Sequence, residues 1–101
     1  MYIDIISYKL AQNITHAQLL EAAQDIHNLW MKKQSGFIKW EINQTTLDNT
    51  VYKDFVYWKD KASAELATQN MKDIPADHPW LACYDMTSVS SNPLAQLLEL
   101  R

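Results

Sequence analysis

His78 is the residue best suited by type to acid–base chemistry near neutral pH, and Asp73 and Asp77 stand close enough in sequence to orient it. Its setting, Ile74-Pro75-Ala76-Asp77-His78-Pro79-Trp80, reads as a loop, so a solvated turn histidine is the competing reading. Asp54 is the second candidate base. It shares strand parity with Tyr52, Val56 and Trp58, and a carboxyl buried there without a partner would have a raised pKa. Lys53, Lys59 or a cross-strand group could instead pair it. Ser7, Tyr57 and Tyr84 offer hydroxyl donors to a substrate oxygen, although tyrosine also serves packing alone. Trp30, Trp40, Trp58 and Trp80, with Met31, Met71 and Met86, have the character to wall a pocket for a flat aromatic ligand, or equally to fill a core. His16 and His27 fall on a helical pattern, where surface or packing roles account for them.

Other chemistries lack their residues. There is no glycine-rich phosphate loop, nucleophile elbow, paired metal-binding helix motif or CxxC, which sets aside kinase, dehydrogenase and zinc-enzyme readings. Cys83 is the only cysteine, so no intrachain disulfide forms, and a reducing cytoplasm is the expected compartment. A net charge of −3 gives no basic field for phosphates, so neither nucleic acid nor an anionic membrane is an expected partner. The Met1-Tyr2-Ile3-Asp4-Ile5-Ile6 start lacks the basic region of a signal peptide.

The elements that must position these residues can be read in order. At 101 residues with 48% hydrophobic composition, the chain suits one packed domain. Tyr2–Leu10, rich in Ile and Tyr on both parities, predicts a strand packed on both faces. Thr15 and Gln18 form a capping-box pattern, and Leu19, Ala22, Ala23, Ile26, Leu29 and Trp30 follow at helical spacing to about Gln34. Gly36 falls where a left-handed residue would end that helix. Phe37–Thr45 alternates, with Ile38, Trp40 and Ile42 on one face, and Leu47–Thr50 supplies a turn into a second extended run, Val51–Trp58. Asp60 caps a second helix that ends before Pro75. Trp80–Val89 predicts the last strand. Asn92-Pro93 then reads as a cap and first turn, so residues 92–101 are expected as a short helix docking on a dimer and residues 1–91 as the domain.

This order predicts an α+β ferredoxin-like β-α-β-β-α-β sandwich, with a four-stranded antiparallel sheet and both helices on one face. Apolar residues left on the other face predict a homodimer closed sheet to sheet.

Ser35-Gly36-Phe37-Ile38 and Phe55-Val56-Tyr57-Trp58-Lys59-Asp60-Lys61-Ala62-Ser63-Ala64 resemble the helix-to-strand and strand-to-helix junctions of antibiotic-biosynthesis-monooxygenase-like domains, members of the dimeric α/β-barrel superfamily. The resemblance covers about residues 2–90 in element order. It implies dimerisation through the sheets, a pocket between sheet and helices, and a pocket-lining tryptophan at Trp58. In that family some members oxidise polycyclic aromatic compounds without metal or cofactor and others cleave haem. The haem-cleaving branch pairs the tryptophan with an asparagine in the first strand and a histidine in the second helix. Here Ser7 occupies the first-strand position and His78 lies beyond Pro75, and both departures argue against haem cleavage.

The expectation is therefore a cofactor-independent monooxygenase acting on a small aromatic or polyketide-like molecule. His78 or Asp54 would be its base, Ser7 and Tyr84 its hydrogen-bonding groups, and Trp58, Trp30 and Trp40 its pocket walls. No cofactor and no metal are expected. The alternatives are a non-catalytic dimeric barrel that binds a small ligand or protein, and an isomerase or lactone-processing enzyme on the same scaffold. A catalytic site predicts that Trp58 and a base face a common cavity of roughly 300 Å³ or more, whereas a solid core with His78 and Asp54 both turned to solvent would exclude it.

Overall fold

A computed structural model describes residues 1–101. Strand β1 (Tyr2–Lys9) leads through a turn to helix α1 (His16–Leu29), whose capping box forms as the sequence predicts. The Gln18 amide donates to the Thr15 hydroxyl at 3.2 Å, and the Thr15 amide donates to the Gln18 side chain at 2.8 Å. Leu19, Ala22, Ala23 and Ile26 form the buried stripe of α1. A single tight turn follows over Met31–Lys33, and then Gly36 turns the chain at φ +78°. Its missing side chain matters twice, because a Cβ there would stand 2.1 Å from the Ser63 hydroxyl oxygen.

Strands β2 (Phe37–Gln44) and β3 (Val51–Trp58) form the hairpin, and helix α2 (Lys61–Asn70) follows. Asp60 caps α2 by accepting from the Ser63 amide at 2.8 Å. The register slips between Phe37 and Lys39, leaving Ile38 as the extra residue of a bulge and 47% exposed. Phe37, rather than Ile38, therefore joins the inner face, its ring edge against Trp58 at 5.7 Å.

The last quarter of the chain departs from expectation. Trp80–Val89 is not a strand but two short 3₁₀ turns, Pro79–Ala82 and Met86–Ser88, and strand β4 is Ser90–Ala95. Side-chain caps impose the turns: the His78 ring accepts from the Trp80 amide at 3.0 Å, and Asp85 accepts from the Thr87 amide at 3.1 Å. Asn92-Pro93 therefore starts no helix, the strand runs four residues past the expected end of the domain, and residues 96–101 hold no regular structure. Proline is tolerated in β4 because an edge strand can turn its missing donor outward.

All four strands pair antiparallel in the order β2-β3-β1-β4. The expected ferredoxin-like α+β fold is present, with the core between the sheet and the two helices. Tyr8, Tyr52, Val56 and Trp58 face that core, whereas Ile3, Ile5, Phe55 and Tyr57, at the alternate positions, lie on the outer face. No helix is long and apolar enough to cross a membrane.

Candidate functional site

A cavity of about 220 Å³ lies between the inner sheet face and α2, somewhat below the expected size. The strands contribute Asp4, Ile6, Trp40, Asp54, Val56 and Trp58; the end of α1 adds Trp30 and Met31; and Ala64, Ala67, Thr68 and Met71 come from α2 and its last turn. The turns before β4 close it with Trp80, Tyr84, Met86 and Val89. Met71 and Met86 are 40% and 70% exposed, which leaves the mouth open to solvent beside them. The lining is almost wholly apolar and aromatic, which suits a flat apolar molecule.

Asp54 is the polar centre. Strand alternation turns it inward with Tyr52, Val56 and Trp58, and it is only 2% exposed. Its two carboxylate oxygens each accept one hydrogen bond, from the Tyr8 hydroxyl at 2.7 Å and from the Trp40 indole at 3.0 Å. Burial pushes the carboxyl up from 3.8 to about 6, overriding the two hydrogen bonds, which pull it down. It is thus mostly ionised at neutral pH, with a proton affinity well above that of a free carboxylate.

Burial first, and then the charge of Asp54, pushes the Tyr8 and Tyr84 hydroxyls up, so both stay protonated donors. Tyr84 accepts from the Trp80 indole and donates to no protein group, leaving its hydrogen for a ligand. The segment carrying it is fastened to the end of β1: the Asp85 amide donates to the Lys9 carbonyl at 3.0 Å, and the Lys9 amide donates to the Ser88 hydroxyl at 2.8 Å. Trp40 and Trp80 meet edge to face at 5.9 Å, which stiffens the wall beside Asp54.

The structure brings Asp54, Trp58, Tyr84, Trp30 and Trp40 to one cavity, as the sequence suggests, and leaves out three other candidates: Ser7, His78 and Tyr57, whose hydroxyl donates to Glu41 at 2.7 Å on the outer face. Ser7 pairs with Lys53 and Ser90 and, by alternation, lies on the outer face. His78 is buried but faces α1, where its Nε2 lies 2.7 Å from an oxygen of Asp25, a residue that replaces the expected Asp73 and Asp77. Its Nδ1 already accepts the Trp80 amide, so Nε2 carries the proton and donates to Asp25. This histidine positions the turn that carries Trp80 and stands apart from the cavity.

Asp4, which lines the cavity, and Tyr8, whose hydroxyl holds Asp54, are the residues around this cavity that sequence reasoning misses. Apolar side chains on both parities of β1 hide which face points inward, and only the pairing of Tyr8 with Tyr52 and of Ile6 with Asp54 settles it.

Sheet order, helix placement and the cavity between them define an α+β domain of ferredoxin-like fold with its pocket between sheet and helices. Among solved structures, the chain is similar to SnoaB, a cofactor-independent oxygenase from Streptomyces nogalater, with a TM-score of 0.74 and 11% identity over 98% of this chain and 95% of that one. A Bordetella bronchiseptica protein assigned by likeness to the antibiotic biosynthesis monooxygenases gives a TM-score of 0.75 at 13% identity, covering 96% and 98% of the two chains. The ActVA-Orf6 monooxygenase of Streptomyces coelicolor, solved with the ligand nanaomycin D, gives 0.68 at 8% identity, covering 99% and 90%. At these identities the likeness establishes the fold. No protein-family model matches the chain, and no curated protein sequence is significantly similar to it.

Proposed function

We propose that this chain is a cofactor-independent monooxygenase that oxidises a small fused-ring substrate of anthrone or quinol type. The observation that carries the proposal is Asp54, a buried carboxylate with its proton affinity raised to about 6, in an aromatic cavity that also presents the uncommitted hydrogen of Tyr84. Asp54 takes a proton from the activated ring methylene, while Tyr84 donates to the oxygen on which the resulting negative charge settles. Trp58, Trp30 and Trp40 hold the ring system flat. The deprotonated substrate gives one electron to dioxygen, and recombination of the two radicals forms a carbon–oxygen bond. Protonation then gives a hydroperoxide. Loss of the remaining hydrogen as a proton, with cleavage of the oxygen–oxygen bond, leaves a ketone and one water, so that methylene plus dioxygen becomes carbonyl plus water. The substrate supplies every electron.

Stirred oxygen-electrode measurements with a panel of hydroxylated anthrones test this directly. The expected result is one dioxygen consumed per quinone formed, abolished in Asp54→Asn. Binding without uptake across the whole panel would favour the non-catalytic alternative.

The proposed enzyme works as a homodimer, a second copy lying against the outer sheet face. Ile3, Ile5, Phe55 and Tyr57 support this, since they form a cross-strand apolar patch that the single chain leaves without a covering layer. Cys83, buried and unpaired, fits a reducing cytoplasm.

A further inference from the structure

The cavity carries charge of one sign only. Asp4 and Asp54 are its ionisable carboxyls, no lysine, arginine or histidine lines it, and neither acid forms an ion pair. The two are not equivalent. Asp54 is fully enclosed, with a donor on each oxygen. Asp4 is half-buried beside the edge strand, where its Oδ1 accepts the Ser91 hydroxyl at 2.6 Å and its Oδ2 holds no protein donor. Asp4 faces Val56 across the β1–β3 pair and Ile6 faces Asp54. The two acids therefore take diagonal positions on one sheet face, about 7–8 Å apart.

A ring system lying along the inner face would thus meet a carboxylate at two points. At Asp54 the meeting is chemical. At Asp4 it is a matter of recognition, because an oxygen without a donor, set in an apolar wall, gains a hydrogen bond from a ligand donor and repels a ligand anion. With no cation in the lining, nothing offsets that repulsion.

Resting on the reading of this cavity as a fused-ring site, we propose that Asp4 is its specificity-determining residue, accepting a hydroxyl or ammonium donor on the ring system and excluding rings that bear a carboxylate. The substrate class narrows accordingly to neutral or cationic phenolic ring systems. An acidic precursor would have to lose or mask its carboxylate before entering, which makes a decarboxylation or esterification the class of reaction that comes before this one.

The test uses three quinones that do not react with oxygen: a neutral dihydroxyanthraquinone, its ring-carboxylated analogue and its aminomethyl analogue. Binding to the full chain at pH 8 is read by quenching of the cavity tryptophans. The neutral quinone should bind roughly tenfold more tightly than the carboxylated one, the order of one like-charge repulsion in a half-exposed site, and the aminomethyl analogue at least as tightly as the neutral one. Asp4→Asn should bring the carboxylated compound to within about twofold of the neutral one, whereas Asp54→Asn should leave most of the discrimination in place. Equal binding of all three by the unmodified chain overturns the role of Asp4 and leaves the fused-ring reading standing. So does a preference that vanishes in Asp54→Asn and persists in Asp4→Asn. Absence of quenching by all three overturns both.

Discussion

Replacing Asp54 by asparagine should abolish turnover and at the same time make the folded protein more stable at pH 8. The carboxylate is 2% exposed, and burial raises its pKa from 3.8 to about 6. At about 1.4 kcal/mol per tenfold change in proton affinity, that difference corresponds to about 3 kcal/mol. The sign follows from proton binding. Between pH 3.8 and about 6 the folded chain holds a proton that the unfolded chain has released, so stability falls as pH rises across this window. Below it the contribution is fully present, and above it the ionised group burdens the fold by the whole amount. Asparagine, neutral at every pH, removes that burden. The gain in urea-unfolding free energy should approach about 3 kcal/mol at pH 8, shrink as pH falls through 6 and vanish near pH 4. Mismatch of the asparagine amide with the Trp40 indole donor would reduce the gain at every pH equally and leave its pH dependence intact. In the unmodified protein, kcat/KM for oxygen uptake should rise about tenfold per pH unit up to about 6 and level off above. Equal unfolding free energies for the two proteins at pH 4 and pH 8 alike, or oxygen uptake retained in Asp54→Asn, would refute the assignment of Asp54 as a strained base.

Tyr84→Phe should reduce kcat by about 10²-fold through loss of the oxyanion donor, while leaving the Trp80 indole unpaired should cost about 1–3 kcal/mol in stability. Comparing turnover at saturating substrate with urea midpoints separates the two effects. His78→Ala removes the cap on the Trp80 turn and the Asp25 contact and should cost about 1–3 kcal/mol, yet the inflection near pH 6 in kcat/KM should persist; its disappearance would return His78 to the catalytic role. Gly36→Ala should destabilise by about 2–4 kcal/mol in chemical unfolding, since it adds left-handed strain to a collision with Ser63, and a change under about 0.5 kcal/mol would contradict the packing. Phe55→Lys should convert the chain to a monomer by light scattering at micromolar concentration with its far-ultraviolet circular dichroism unchanged; a dimer in the variant would place the interface elsewhere.

Legibility in the sequence followed the range of the interaction. The capping box of Thr15 and Gln18, the left-handed turn at Gly36 and the Asp60 cap are settled within a few neighbouring residues and appear where the sequence predicts them, although α1 itself ends at Leu29, short of the expected Gln34, and Gly36 closes the turn that follows it. β4 is illegible in the sequence because its determinants compete locally. Trp80–Val89 has the composition of a strand, but His78 and Asp85 each spend a side chain capping a turn, and Asn92-Pro93 carries a helix-start signal that an edge strand can absorb. The displaced segment is also what closes the cavity, since its turns bring Trp80 and Tyr84 beneath the sheet, where a continuous strand at these positions would have paired them into it.

The two candidate bases divide on the same principle. His78 is attractive in sequence because its type suits neutral pH and acids flank it, but its partner in space is Asp25, 53 residues away. Asp54 is the less conspicuous residue, marked only by its parity with three large apolar side chains. Parity on a strand is a physical commitment, however, because a period of two leaves a side chain one face or the other. Once Tyr52, Val56 and Trp58 are buried, Asp54 must be buried with them. A carboxylate there stays ionised near neutral pH only with strong donors, which Tyr8 and Trp40 supply across two strand pairings that no local pattern reveals. The two hydrogen bonds lower the cost of the buried charge without cancelling it, since the carboxyl still sits at about 6. A fold selected for stability alone would place an apolar residue at position 54 and gain from it. An acid that the core must pay to keep, at the centre of an aromatic cavity, is what supports the proposed use of that cavity for chemistry.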